Sequence, residues 1–327
     1  MIKQMLIVLA WVFSIVMLHQ FLNLSTTLSL FVLILGLVFW ARFKGTYLIN
    51  VAPFIVLIVM LGWLMSIQPR SDRNWWLETS ILPSIEITND QVRIDNFRNF
   101  HWQDRIKSDL NWENRSYNLS ALENLDLIVE PFKNSEFMAH TMLVFGFKDQ
   151  GHVVVSVEAR KEQHEEYDLL AGTMRQFEII YIFGDERDLL AQRAIHRNSE
   201  LYLYPIKADK TFIINLFKDL AKSANSLHKQ AKFYGTIRDN CTTTLVKHID
   251  RHYDNKIGFR YEVLFPAQAG KLLYEFGQMD TTLPYEKVKS ASKIDDLVRK
   301  YIDQPNFSTI IRAQSTDPYK TGESTTS

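Results

Sequence analysis

The stretch Phe137-Met138-Ala139-His140-Thr141-Met142-Leu143-Val144-Phe145-Gly146-Phe147 is followed by Lys148-Asp149-Gln150-Gly151 and then by His152-Val153-Val154-Val155-Ser156-Val157-Glu158-Ala159-Arg160. Apolar, aromatic and β-branched residues fill both arms and the four residues between them form turns readily, so the whole reads as a β-hairpin. With the turn centred near Gln150, His140 lies opposite about residue 160, and Glu158 is its diagonal neighbour. Residues of equal parity about a turn share one face of a sheet, which lets imidazole and carboxylate meet. A slip of one residue would send them to opposite faces.

Outward from the hairpin the pattern alternates between strand and helix. Ile85-Glu86-Ile87 and Val92-Arg93-Ile94 alternate as strands, and Leu125 to Val129 is extended up to Pro131. Phe100 to Ser120 shows no clean period and reads as loops with a short strand; Lys161 to Gly172 reads as loop or irregular helix. Gln176 to Phe183 and Glu200 to Pro205 are further strands. A helix with acids in its first turn runs from Asp185 to about Asn198. Lys210 to Gln230 is the clearest helix, with an apolar stripe of Phe212, Leu216, Leu220, Ala224 and Leu227 and Asp209 as its cap. Ala291 to Tyr301 is another helix, and the chain from Ala313 onward is expected to be disordered. The fold class is α+β, an antiparallel sheet with flanking helices.

The first 67 residues differ in kind. Met5 to Leu22, about Leu24 to Trp40, and Tyr47 to Ile67 are three apolar segments, each near the length a bilayer-crossing helix needs. Lys3, Arg42 and Lys44 place the short basic ends inside, so everything after Ile67 faces outward. The expected organisation is a transmembrane anchor over 1–68, an outer domain over 69–312 and a tail over 313–327, in a multi-pass protein of a bacterial inner membrane whose C-terminal domain is periplasmic. Trp75-Trp76 is expected to lie along the outer leaflet. The 37 basic and 37 acidic side chains cancel, with no basic tract, which argues against nucleic acid as a partner. One cysteine in 327 residues excludes an intrachain disulfide and multi-cysteine metal sites. No cofactor motif is present; His248 and His252 are four apart with Asp250 and Asp254 nearby, but they form no His-Glu-x-x-His and read as solvated, so neither cofactor nor metal is expected.

That single cysteine sits in Phe233-Tyr234-Gly235-Thr236-Ile237-Arg238-Asp239-Asn240-Cys241-Thr242-Thr243-Thr244, where a polar turn leads into a helix. Unpaired N–H groups and the dipole at a helix start favour thiolate over thiol. With His140 as base and Glu158 fixing its tautomer, Cys241 becomes a nucleophile. Asn240 and the N–H groups of Cys241 and Thr242 are the oxyanion and orienting candidates. His152, His196, His228 and His248 remain available as alternatives to His140. Arg160 is the candidate for an anionic head group, and Tyr234 a second substrate-binding candidate.

Several motifs then carry a resemblance: Asn96-Phe97-Arg98-Asn99-Phe100, Trp112-Glu113-Asn114-Arg115-Ser116-Tyr117, Ala139-His140-Thr141-Met142, Ser156-Val157-Glu158-Ala159-Arg160, Asp185 to Leu190, Leu201 to Pro205, and Phe233-Tyr234 leading to Asn240-Cys241-Thr242-Thr243. Over about residues 92 to 249 the chain resembles the Lnb N-terminal periplasmic domain family. That resemblance implies a circularly permuted papain-like, NlpC/P60-like domain with His140, Glu158 and Cys241 as its catalytic residues. It further implies kinship with a membrane enzyme that N-acylates lipoproteins, hence a thiol acyltransferase drawing on membrane phospholipid, with a lipoprotein as acceptor. Family members often carry an N-terminal signal and C-terminal helices; here the apolar segments come first. The competing expectations are a periplasmic cysteine peptidase or amidase, a lipid hydrolase, and a non-catalytic envelope binding module.

Overall fold

The computed structural model describes residues 47–320 except 103–107, 134, 259 and 280; before residue 47 it describes 5–7, 9–13, 15, 16 and 36. The chain divides into two compact units, Met1–Pro69 and Arg70–Ser327.

In the first unit, Tyr47–Ser66 is one helix of 20 residues, α1. Ile55, Ile58, Val59, Trp63 and Met65 are exposed on it. It coincides with the third expected span, but Asn50 and Pro53 interrupt the apolar run in its first two turns. Among the described residues no helix is long and apolar enough to cross a membrane, so an anchor of three transmembrane helices is not supported. Most of the first expected span and nearly all of the second lie outside the described residues.

The second unit is built on strands β1 (Ser84–Thr88), β2 (Gln91–Arg98), β3 (His101–Trp102), β4 (Ser108–Asp109) and β5 (Trp112–Asn118), followed by β6 (Leu122–Pro131), β7 (Ala139–Phe147) and β8 (Gly151–Arg160). Helix α2 (Leu169–Thr173), β9 (Glu178–Asp185), α3 (Glu186–Ala191), β10 (Tyr202–Pro205), α4 (Lys210–Ser226) and α5 (Cys241–Ile249) follow. The chain closes with α6 (Tyr261–Leu264), α7 (Ala269–Glu275), α8 (Tyr285–Ala291), α9 (Asp295–Tyr301) and α10 (Phe307–Lys320). Eight strands form one sheet in the order β1-β2-β9-β8-β7-β6-β10, with β5 added on β2. Its neighbours are antiparallel apart from β2 and β9, which meet in parallel at Arg98 and Gly184.

Every residue of β7 is buried, because helices cover both faces of the sheet. Leu143 and Phe145 point to one side, where α4 supplies Ile213, Leu216, Phe217 and Leu220 and α5 supplies Leu245. Met142 and Val144 point to the other, against Leu189, Leu190, Val298 and Phe307. Such double coverage removes the polar-out alternation of a one-sided sheet, which is why the hairpin reads as two nearly continuous apolar runs.

The hairpin register is tighter by two residues than the sequence reading. Met142 pairs with Ser156 and Phe147 with Gly151. Continued, that register sets His140 opposite Glu158 instead of diagonal to it, with the same parity. Asp149 and Gly151 take positive φ of 58° and 94° and close the turn early. Phe100–Ser120, expected as loops with a short strand, holds three strands: β3 and β4 pair with each other, and β5 pairs with β2, which compensates for its polar sequence. The expected helix Ala291–Tyr301 starts four residues later, as α9 at Asp295; Ala291 ends α8, and between them Lys293 bridges Tyr202 and Ile294 N–H donates to Leu201 O. The C-terminal segment expected to be disordered is helical through Lys320, held by Phe307, Ile311 and Arg312; residues 321–327 lie outside the described residues.

Candidate active site

The sheet forks at its most functional point. The β6–β7 ladder runs to Pro131↔Ala139 and the β8–β9 ladder to Arg160↔Glu178, but β7 and β8 stop pairing beyond Met142↔Ser156. Residues 139–141 therefore stay with β6, residues 157–160 stay with β9, and a gap opens between them. Cys241 reaches this gap from α5, with Sγ 3.9 Å from Ala139 O.

On the α3 side of the gap, Glu130, His140 and Glu158 stand in a row on three adjacent strands. Glu130 is paired with His140 in the β6–β7 register. His140 Nε2 is 2.7 Å from Ser156 Oγ and 3.1 Å from Glu158 Oε1, and the Ser156 hydroxyl donates to the same carboxylate oxygen at 2.7 Å. With Nε2 so engaged, Nδ1 is the ring nitrogen left for sulfur; ring and sulfur line one cavity, and each favours the charged form of the other. The expected trio is thus brought together.

Burial works against the imidazolium, but the Glu158 carboxylate and the Cys241 sulfur more than offset it and push His140 up to about 9. Burial likewise favours the neutral thiol; the His140 imidazolium, the Thr141 N–H and the Thr242 hydroxyl outweigh it and hold Cys241 below the ordinary thiol range. Glu158 stays ionised far below the usual carboxylate range despite desolvation, through His140, Arg193 and Arg197. A thiolate–imidazolium pair is the state these three effects favour together.

The local sequence explains the pose of the cysteine. Asn240 is the N-cap of α5: its side chain accepts from Thr243 N at 2.8 Å, and the Thr243 hydroxyl accepts from Asn240 N at 3.0 Å. Asn240 Nδ2 donates to Thr236 O at 2.7 Å and fixes the incoming turn. Gly172 keeps that turn close, since a Cβ there would collide with the Thr236 hydroxyl. Asn240 is therefore a capping and orienting residue. With Thr243 N–H capped and Thr244 N–H bonded to Asn240 O, the first-turn N–H groups of Cys241 and Thr242 are left for an oxyanion.

A cavity of about 450 Å³ opens onto Cys241 and His140, and Trp76, Lys161, Tyr167, Arg197 and Tyr234 contribute to its walls. Tyr234 lines the same cavity as Cys241 and His140. Arg160 does not. Its guanidinium donates to Thr79 O at 2.8 Å and Ser80 O at 2.6 Å and stacks 4.4 Å over Trp75, so it braces the segment that crosses β8. Trp75 is buried under it, not spread on a leaflet, and Trp76 walls the cavity with Lys161 4.4 Å over its ring. Arg98, Arg115 and Arg187 are structural as well: Arg98 makes a bidentate buried pair with Asp188, Arg115 binds Asp185, and Arg187 donates to Gln304 O. His248 hydrogen-bonds Asp219 and Tyr181 at 2.9 and 3.0 Å, away from Cys241.

Two residues of the site escape a sequence reading. Arg193 is fully buried in the π-helical turn Gln192–His196 that continues α3. It reaches Glu158 Oε1 at 2.6 Å and Glu130 Oε2 at 3.2 Å, spanning the row above His140. Ser156 is the other, two residues before Glu158 on the same face; the hairpin alternation already placed it there.

Fold and site together define an α+β domain with a cysteine–histidine–carboxylate centre. The sequence model of the Lnb N-terminal periplasmic domain matches residues 108–275, just over half of the chain, and the chain belongs to that family. The match contains His140, Ser156, Glu158, Arg193 and Cys241, and it begins later and ends later than the motif span read from the sequence. The family's description places this domain in the periplasm. No curated protein and no solved structure matches the chain.

Proposed function

We propose that this protein is a periplasm-facing, membrane-anchored cysteine acyltransferase that takes an acyl chain from phospholipid through a Cys241 thioester and passes it to a lipoprotein amine. One observation carries the reading: a buried thiol whose surroundings favour the thiolate, beside an imidazole held by a carboxylate, at the mouth of a cavity. The Cys241 thiolate attacks the ester carbonyl, and the N–H groups of Cys241 and Thr242 receive the oxyanion. As the carbon–oxygen bond breaks, His140 gives its proton to the departing lyso-lipid oxygen. His140 then takes a proton from the acceptor amine as nitrogen attacks the thioester, and sulfur leaves as thiolate. The apolar first 67 residues supply the anchor in this reading.

Intact-protein mass spectrometry after incubation with phospholipid vesicles tests it. The expected result is a gain of one fatty acyl chain on Cys241 that disappears in His140→Ala. Cleavage of cell-wall peptide without any acyl adduct would replace the proposal with a peptidase or amidase. Failure of Cys241 to react with iodoacetamide would replace it with a binding module.

A further inference from the structure

We infer that a second, apolar cavity behind the nucleophile holds the hydrocarbon chain of the acyl group. This inference rests on the acyl-transfer reading and adds to it the place where the chain lies. The cavity, of about 230 Å³, lies between β6, β7, α4, α5 and α7, and Leu127, Leu245, Ile249, Leu272 and Phe276 line it. Close-packed interiors leave few spaces of this size, and one lined by leucines holds water poorly and takes up apolar molecules.

Its position says which one. Thr141 and Thr242 form part of its wall, and these are the residues that follow His140 and Cys241 directly. Their hydroxyls are hydrogen-bonded to each other at 2.9 Å, and the Thr242 hydroxyl lies 3.8 Å from Cys241 Sγ. One pair of threonine side chains separates sulfur from the apolar space. The cavity on the other side of the sulfur is walled by Glu78, Lys161 and Arg197 as well as aromatic rings. An ester with a polar end and a linear hydrocarbon end is the substrate class that fits both spaces at once. Its carbonyl sits at Cys241, its polar part occupies the charged cavity, and its chain passes the threonine pair.

The test uses the full-length protein in a non-ionic detergent. Ala269→Phe fills the interior of the apolar cavity and Ile257→Trp narrows its rim; neither residue belongs to the catalytic group. Both variants are first shown to alkylate with iodoacetamide at the wild-type rate. Hydrolysis of 4-nitrophenyl acetate is then compared with that of 4-nitrophenyl decanoate. Each methylene buried is worth a factor of about four, so a filled cavity should lower the decanoate rate about tenfold or more while acetate changes less than about twofold. Equal loss of both esters, or of neither, in both variants overturns the inference. Should the wild type hydrolyse neither ester, calorimetry with decanoate decides separately. Binding that the wild type shows and Ala269→Phe lacks keeps the cavity and removes the acyl-transfer reading; no binding to the wild type removes the cavity.

Discussion

Replacing Glu158 by Gln removes one negative charge while preserving shape, and the reactivity of Cys241 should report the loss. Glu158 Oε1 lies 3.1 Å from His140 Nε2. At an effective dielectric of about 20, a pair at that separation has a Coulomb ceiling of about 5 kcal/mol. The actual effect is smaller. The Glu158 side chain keeps 17% exposure, and Arg193 at 2.6 Å already draws on the same oxygen. An opposite charge this close alters an ionisation equilibrium about 10- to 1000-fold, and the shared carboxylate argues for the lower part, about 10- to 100-fold. In the wild type the ion pair occupies the window from the lowered thiol pKa up to the loss of the His140 proton near pH 9. Without the carboxylate, only the Cys241 sulfur is left to oppose burial at His140, so the imidazolium is lost at lower pH and the thiol ionises at higher pH. The assay is the pH profile of iodoacetamide alkylation read by intact mass, with circular dichroism confirming the fold. Alkylation at pH 7 should fall by that factor and the acid limb should move to higher pH. An unmoved limb in a folded variant would refute the electrostatic reasoning, because sulfur would then be activated without the carboxylate.

Arg193→Met leaves Glu130 and Glu158 without their shared counter-charge and should destabilise the protein by about 3–5 kcal/mol in thermal or urea unfolding; a loss under about 1 kcal/mol would show that the cluster is wet. Asn240→Ala removes the cap of α5 and the tie to Thr236, costing about 1 kcal/mol and slowing alkylation of Cys241 more than it lowers the melting temperature of the remainder; unchanged alkylation would argue against a positioning role. Glu186, buried beside Arg312 and Ser308, is held down to about 2 against an ordinary 4.5. A carboxylate lowered on folding stabilises above its ordinary value and ceases to as pH falls through its folded one. Glu186→Gln should therefore cost about 3 kcal/mol at pH 7 and almost nothing near pH 2, read as the difference in melting temperature across that range.

The sequence carries the site more fully than its surroundings. Periodicity and turn chemistry are local, so the His140 hairpin, the Lys210 helix and the Cys241 helix start could be read with only small errors of boundary and register. Parity survives a two-residue shift in the turn, which is why the sequence puts His140 and Glu158 on one face even though it aligns them diagonally and not opposite. What failed depended on distant partners. β5 is a strand because β2 lies beside it, and Arg160 is spent on Thr79 and Ser80 eighty residues earlier. Arg193 belongs to the site only because a helix folds over the sheet, and nothing in Gln192-Arg193-Ala194 announces that. Two tryptophans in a row look like an interfacial anchor until Arg160 and Lys161 are found stacked on them.

The gap between the strands divides responsibility for the chemistry. The base hangs from one ladder and the acid from another, so mispacking on the β6 flank should tilt the ring while sparing the carboxylate, and mispacking on the β9 flank should do the reverse. Damage to the core would then arrive at the sulfur in two recognisable forms, a misdirected proton acceptor or a neutralised partner. Which flank had been disturbed could be told from reactivity alone.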